Sequence, residues 1–177
     1  QGFNCGHHGV WGKGNGTVPF NMYDEAIRVP LIWNHPARIR AGREIAEMVS
    51  TYDFYPTLLQ YLGIAGEKGK QRPGRDYTPL LEGKKWNREN RLYFEYSYVR
   101  AVRTANLKYI ERTGDWPGEL YDLEADPGET KNLWDDGRYS KQRTALAADL
   151  ARFFRQTGAP PLEQWRGTAK QNLTEYR

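Results

Sequence analysis

The first fourteen residues, QGFNCGHHGVWGKG, contain side chains that could do chemistry, among them the amide of Gln1, the imidazoles of His7 and His8 and the ammonium of Lys13, placed among five glycines. Lys13 lies between Gly12 and Gly14, and glycine neighbours let both the backbone and the ammonium approach a ligand closely. A lysine is a compact cation that suits a tetrahedral oxyanion such as sulfate or phosphate. The segment is therefore a candidate anion-binding loop.

Three further side chains of this segment could assist such a site. His7 and His8 can donate protons near neutral pH, or bind a metal through neutral nitrogens. Gln1 offers a carbonyl oxygen of the kind that calcium accepts. The spacing of glycine and lysine does not match the GxxxxGK[ST] pattern of a P-loop. A solvated lysine and structural histidines remain open alternatives on spacing alone.

Composition limits the class of protein. The 177 residues are enough for one domain with a real core, and 38% hydrophobic with 27% charged residues is ordinary for a globular protein. The net charge of +4 is scattered, with no basic run of the kind that binds nucleic acid. No apolar run is long enough to span a membrane. A single cysteine, Cys5, excludes an internal disulfide framework.

The N-terminal half predicts a loop, a strand and a helix. Residues 1–22 are glycine-rich without helical periodicity and indicate a long loop. The apolar run 27–33 (IRVPLIW) predicts a buried strand, which would need neighbouring strands from upstream of this chain. Ser50 is a candidate cap for a helix that ends near Gly63. This helix would bury one apolar face, made of Tyr55, Leu58, Leu59 and Leu62.

The C-terminal half predicts an antiparallel meander and a helix. Residues 65–91 are polar and indicate a surface crossing. Short turns separate four β-like segments, at 92–98, 100–104, 107–111 and 119–123. Apolar residues at i, i+4, i+7 and i+8 predict a helix over about residues 140–156 that packs on the sheet; they are Leu146, Leu150, Phe153 and Phe154. The two together would form an α+β subdomain.

Several motifs in a fixed order resemble the sulfatase family of the alkaline-phosphatase superfamily. The opening loop and MYDEAIRVPLIW resemble the family's L-G-x-H-G-x-W-G-K and Y-E-x-x-I-R-V-P-L-I. Further matches follow down the chain to about residue 158: VS-x-x-D-x-x-PTLL from Val49, VRT…KYI from Val102, and ELYDL-x-x-DP-x-E-x-x-NL from Glu119. The combination is far more specific than any one motif.

The resemblance implies a truncated α/β sulfatase-like (alkaline-phosphatase-like) fold. Residues 1–91 would be the end of the catalytic domain with a crossing segment. Residues 92–158 would be a small subdomain with a four-stranded antiparallel sheet and a packed helix, and residues 159–177 a tail. The partners would be the rest of the sulfatase domain and a small-molecule or saccharide sulfate ester, with no nucleic acid. Family members suggest a periplasmic, secreted or lysosome-like location and leave the cytoplasm open.

The resemblance also implies a nucleophile and a metal. The family uses a formylglycine made from a C/S-x-P-x-R motif, which this sequence lacks, and Cys5 is followed by Gly-His-His-Gly, so it cannot be that residue. The family binds a divalent cation, usually calcium. Gln1 matches a position beside one of the metal-binding aspartates and is the candidate metal ligand.

The remaining site residues are carried over in the same way. Lys13 matches the lysine that contacts the sulfate oxygens, and His8 matches the H of L-G-x-H-G; these two are the candidate catalytic residues. His7, Arg100 and Tyr98 are candidate substrate contacts, together with Lys13. The implied activity is that of a sulfuric ester hydrolase. The alternatives are a phosphodiester or phosphonate monoester hydrolase of the same superfamily and, for these 177 residues alone, a catalytically inert fragment.

Overall fold

The computed structural model describes residues 2–66 and 72–165, which form two compact units. The first unit joins the residues up to Pro30 to those from Tyr93 onward, and the second covers Leu31–Leu92. The N-terminal loop thus groups with the C-terminal half, whereas the sequence division placed it in residues 1–91. That division concerns domains of a longer protein and stays a prediction.

A four-stranded sheet organises the first unit, in the order β1-β2-β3-β4. The strands are β1 (Leu92–Tyr96), β2 (Val99–Arg103), β3 (Leu107–Arg112) and β4 (Glu119–Asp122). β3 pairs antiparallel with both β2 and β4. The predicted meander is confirmed, because short turns between alternating segments leave each strand beside its sequence neighbour.

Helix α4 covers one face of this sheet. It spans Ser140–Gln156, as its apolar spacing predicts, and Gly158 follows it with φ 72°. Its buried side chains pack against alternate residues of the strands; the cluster includes Val102, Tyr109, Leu120, Leu146, Leu150 and Phe154. The predicted helix and its packing on the sheet are therefore confirmed.

The N-terminal segment covers the opposite face. Phe20 and Met22 pack against the other set of alternating strand residues, which includes Val99, Ala101, Ile110 and Tyr121. A short helix α1 (Asp24–Ile27), absent from the sequence prediction, follows directly. The sheet is thus buried on both faces, although only one of its two covers is a long helix.

The predicted buried strand at 27–33 is wrong. Residues 28–33 form no strand, and Ile32 is 86% exposed while Leu31 is 50% exposed. A strand needs a neighbour to accept its backbone hydrogen bonds, and no strand pairs with this run in the part of the chain that the structure describes. An apolar run without such a neighbour stays extended and solvated.

The second unit contains α2 (Thr51–Leu62) and α3 (Thr78–Leu81). The expected start and end of α2 are confirmed: Ser50 and Asp53 form a reciprocal capping box, and Gly63 ends the helix with φ 69°. The predicted apolar face is only partly buried: Leu58 and Leu59 are half-buried, but Tyr55 and Leu62 are 42% and 58% exposed.

The face of α2 that is buried carries Asp53, Thr57 and Tyr61. Its two polar side chains satisfy the incoming backbone: the Asp53 carboxylate accepts from the N–H of Arg75 at 2.7 Å, and the Thr57 hydroxyl accepts from the N–H of Tyr77 at 3.0 Å. These hydrogen bonds allow polar residues to be buried. Tyr61 and Tyr77 then join Leu80 and Leu81 of α3 in a small core.

Some predictions fall beyond the described residues. The predicted metal ligand, Gln1, and most of the predicted tail, residues 166–177, lie outside them. Among the residues that the structure describes, no helix has the length and apolar character needed to cross a membrane.

Candidate functional site

Backbone hydrogen bonds close the glycine-rich segment into an ordered loop. The N–H of Asn4 donates to the carbonyl oxygen of Gly12 at 2.8 Å, and the side-chain amide of Asn4 donates to the same oxygen at 2.8 Å. Within this closure the N–H of Gly6 donates to Val10 at 2.9 Å. Asn4 is fully buried, so the loop is fixed from inside by its own asparagine.

His8 is held in one orientation by two neighbours. Its imidazole stacks on the ring of Tyr23, with centroids 3.7 Å apart and planes 10° apart. Its Nε2 lies 3.5 Å from a carboxylate oxygen of Glu25, and the His8 side chain is 12% exposed. The backbone of His8 is left-handed, with φ 58°. An oriented imidazole beside a carboxylate can hold or pass a proton.

Lys13 and His7 are both exposed on the same loop. Lys13 forms no salt bridge with any residue that the structure describes. The ring nitrogen Nδ1 of His7 lies 2.8 Å from the carbonyl oxygen of Asn4, which directs Nε2 away from this contact. The loop therefore presents one cation and one imidazole to solvent.

Tyr98 and Arg100 are placed inside the protein. The hydroxyl of Tyr98 accepts a hydrogen bond from the N–H of Phe20 at 3.1 Å, and its ring is 1% exposed. Arg100 pairs with Glu95 at 2.6 Å and lies over the ring of Phe154, on the face of the sheet that α4 covers. Neither side chain is brought to the loop surface, so we leave both out of the proposed site.

The described residues do not form a metal centre. They contain no group of three or more His, Cys, Asp or Glu side chains with the spacing that a metal ion requires. Gln1, the predicted ligand, lies outside the described residues. Cys5 is exposed and forms no disulfide, and its φ is 45°. No reaction step can be assigned to a cation from these residues.

The segment that follows the loop is fixed by charged side chains of the sheet. Lys108 is fully buried, and its Nζ lies 2.5 Å from Asp24 and 2.6 Å from Glu129. Arg103 binds the same Asp24 carboxylate through two hydrogen bonds of 3.0 Å. The Glu129 carboxylate also accepts from the N–H of Asp24 at 2.6 Å.

The two carboxylates of this network differ in pKa. Burial favours the protonated form of Asp24, yet the hydrogen bond from Arg103 and the charge of Lys108 outweigh it and lower its pKa. Burial dominates at Glu129 and raises its pKa despite the neighbouring Lys108. Asp24, with two cationic partners, is thus the better stabilised anion.

The role of Lys108 and Glu129 was not identified from the sequence. One feature of the sequence could have indicated that Lys108 is buried: it lies on the same side of the predicted strand as the apolar Ile110. In a sheet buried on both faces, a cation at that position must find a buried anion. Nothing in local sequence identifies the partner, because Glu129 and Asp24 are 105 positions apart.

Comparison with known proteins places the chain among sulfatases. Residues 6–156 match the family model described as N-sulphoglucosamine sulphohydrolase, C-terminal. An N-acetylglucosamine-6-O-sulfatase of Bacteroides thetaiotaomicron is 32% identical over 82% of this chain and 27% of its own length.

Two solved structures are similar in fold and sequence. One protein, in complex with its substrate D-glucosamine-2-N,6-O-disulfate, superposes with TM-score 0.65 and 28% identity over 86% of this chain and 32% of its own. The phosphonate monoester hydrolase of Agrobacterium radiobacter superposes with TM-score 0.56 and 26% identity over 66% of this chain and 27% of its own.

The sheet, the helix and these similarities define the alkaline-phosphatase-like fold of sulfatases, which confirms the fold class expected from the sequence. The chain belongs to the sulfatase family and corresponds to its C-terminal portion, the N-sulphoglucosamine sulphohydrolase C-terminal region. It spans about a third or less of the length of the relatives described above.

Proposed function

We propose that the intact protein is a sulfuric ester hydrolase that cleaves sulfate esters of saccharides or aryl alcohols, and that Lys13 contacts the sulfate group. The observation that carries this proposal is the exposed Lys13, without a salt bridge in the described structure, on a hydrogen-bonded loop within the family match. A fixed cation beside a sulfate stabilises the negative charge that develops on oxygen as the S–O bond breaks.

His8 has the second role in this proposal. Its imidazole is oriented by Tyr23 and Glu25, so it can hydrogen-bond an oxygen of the substrate or hold a neighbouring group in place. His7 is a candidate contact on the leaving-group side, because it is exposed on the same loop. Lys13, His8 and His7 are the proposed substrate contacts among the residues that the structure describes.

A formylglycine nucleophile and a divalent cation, calcium in most family members, belong to the proposal through family resemblance alone. The nucleophile would supply the attacking oxygen, and both groups would require residues beyond this sequence. Mass spectrometry of the intact protein can detect the conversion of Cys or Ser in a C/S-x-P-x-R motif. Loss of activity with a chelator and its recovery with Ca²⁺ would test the cation.

A phosphonate or phosphodiester hydrolase is the second candidate. It is favoured by the similarity to the phosphonate monoester hydrolase of Agrobacterium radiobacter. Both substrate classes present a tetrahedral oxyanion to the lysine, so Lys13 alone does not distinguish them. The glucosamine disulfate bound as substrate by one structural relative, and the sulfatase name of another, support the sulfate ester.

A substrate panel decides between these candidates. The intact protein would be assayed with N- and O-sulfated glucosamines, an aryl sulfate, an aryl phosphodiester and an aryl phosphonate. The proposal expects the highest kcat/KM for a sulfate ester. A higher value for the phosphonate or the phosphodiester would select the second candidate. The 177 residues alone should show no turnover, because they lack the nucleophile motif.

A further inference from the structure

The stretch from Phe20 to Asp24 crosses the sheet without joining it as a strand, so its backbone groups need other partners. Side chains of the sheet provide them. The Arg112 guanidinium donates to the carbonyl oxygen of Phe20 at 2.9 Å, and Lys108 Nζ donates to that of Met22 at 3.0 Å. At the end of the stretch, Glu129 accepts from the N–H of Asp24.

Strand alternation explains why these cations meet the segment. Lys108, Ile110 and Arg112 lie on the same side of β3, and Ile110 belongs to the core that contains Phe20 and Met22. Arg103 of β2 contacts Asp24 and so reaches the same segment. One face of the sheet therefore carries three basic residues, Arg103, Lys108 and Arg112, that contact the stretch from Phe20 to Asp24.

The charges of the central network balance. Lys108 and Arg103 are matched by Asp24 and Glu129, all four within direct contact of a partner. A fully buried ammonium requires opposite charges and hydrogen bonds in place, since an unpaired buried charge is strongly unfavourable. Its position is consequently fixed by the network, and the network in turn fixes the main chain at Met22 and Asp24.

This segment is in direct contact with the loop of the candidate site. The N–H of Asn21 donates to the carbonyl oxygen of Gly14 at 2.9 Å, which joins the anchored segment to the residue after Lys13. Tyr23 and Glu25, which orient His8, stand on either side of Asp24. Asn21, Tyr23 and Glu25, which contact the loop, are thus close in sequence to Met22 and Asp24, which the ionic network holds.

We propose that Lys108, with Glu129 and Asp24, is a positioning residue that holds the loop carrying Lys13 and His8 in its working geometry. Lys108 acts through the segment, and it does not touch substrate because it is fully buried. This proposal rests on the proposed function for its catalytic consequence but not for its structural one. The two consequences are tested separately.

The structural consequence is measured by amide hydrogen exchange on the full chain with Lys108→Met. The protection of the amides of Asn4, Gly6 and Asn21, which close the loop, should fall by at least about tenfold. The amides between β2 and β3 should keep their protection. Unchanged exchange in the loop would overturn the proposal, as would an equal loss in loop and sheet, which signals general destabilisation.

Two further variants keep this test decisive. Glu129→Gln retains an oxygen for the N–H of Asp24 but removes the charge that faces Lys108, so it should loosen the same amides to a smaller degree, even if Lys108→Met fails to fold. Arg138→Met is the matched control, because it breaks an exposed pair with Asp136. Loop loosening in this control, or none in Glu129→Gln, would count against the proposal.

The catalytic consequence is measured by a double-mutant cycle in the intact enzyme. Lys108→Met should lower kcat/KM by about tenfold or more, but by less than about threefold when Lys13 is already alanine, because its effect passes through the loop. Equal losses in both backgrounds would overturn the positioning role. A loosened loop in an intact protein that hydrolyses no sulfate ester would support the anchoring and reject the proposed function instead.

Discussion

The imidazole of His8 lies flat on the phenol ring of Tyr23, with the ring centroids 3.7 Å apart. This stack fixes the plane of an imidazole whose Nε2 faces Glu25. Tyr23 itself is half-buried, and burial together with the nearby Glu119 raises its pKa, so it stays a neutral ring at physiological pH. The orientation of His8 therefore depends on a neighbour that stays uncharged at physiological pH.

Tyr23→Leu should release His8 while Tyr23→Phe should not. An aromatic pair contributes about 0.5–1.5 kcal/mol beyond its buried area, and leucine loses that contribution. The imidazole proton resonances of His8 are shifted upfield by the tyrosine ring and should return toward those of a free histidine in Tyr23→Leu. Resonances that stay unchanged in Tyr23→Leu would show that the stack is not formed in solution.

Gly14→Ala should disturb the loop and Gly16→Ala should not. A Cβ at Gly14 would lie 2.5 Å from the carbonyl oxygen of Asn21, whereas one at Gly16 meets nothing within 4 Å. Neither glycine has a positive φ, so the two variants differ chiefly in the space available. We expect roughly 1–3 kcal/mol lost at Gly14, because the crowded atom belongs to the backbone. Urea denaturation of both variants measures the difference, and equal losses would contradict the close approach.

Asp24→Asn should destabilise the protein mainly above pH 4. The folded-state pKa of Asp24 is lowered from its ordinary value of 3.8, so its contribution is present above that value and is lost as the pH falls through the folded pKa. We expect a loss of about 1–3 kcal/mol at pH 6, as for hydrogen bonds to charged groups. The difference from wild type should shrink as the pH falls below about 3.8, because the aspartate of the unfolded chain becomes protonated before the folded one.

Urea titrations from pH 3 to pH 6 provide this measurement. Glu129 has a raised pKa and titrates in both proteins, so its own opposite dependence on pH largely cancels in the comparison. A difference that stays constant across this range would show that the charge of Asp24 is not what stabilises the segment.

Lys13→Ala in the intact enzyme should lower kcat/KM for a sulfate ester by about two to three powers of ten, as expected for loss of a charge-stabilising contact. The control is Lys131→Ala, which removes an exposed lysine beyond the loop. Its kcat/KM should be close to that of wild type. An unaltered rate in Lys13→Ala would remove this lysine from the site.

The C-terminal subdomain was predictable from sequence because its signals are local. Short turns defined the four strands, and the spacing of Leu146, Leu150 and Phe154 defined α4. The strand at 27–33 was predicted incorrectly. An apolar run indicates which side chains a strand would bury, but it does not show whether a neighbouring strand is present to pair with it. The buried face of α2 was predicted from its apolar residues, but the structure buries a face that carries Asp53 and Thr57. These polar side chains can be buried because they are hydrogen-bonded.

The candidate site was predictable only in its exposed part. Lys13 and the two histidines stand out by residue type among glycines, and their roles stay predictions. The partners of Lys108 beneath them could not be predicted, because ion pairs between residues far apart in the sequence leave no periodic pattern. Tyr98 and Arg100 were predicted as substrate contacts from the sequence. In the structure, Tyr98 is hydrogen-bonded to Phe20 and Arg100 forms an ion pair with Glu95.

The anchoring of the Phe20–Asp24 stretch also determines when the loop can become ordered during synthesis. Its partners at Lys108 and Glu129 follow Asp24 by 84 and 105 residues, so the ribosome must finish β3 and the turn after β4 before the anchors exist. The loop that carries Lys13 is translated before Lys108 and Glu129, and it can become ordered only after them. A nascent chain that stops before Glu129 would therefore expose a loop without its support.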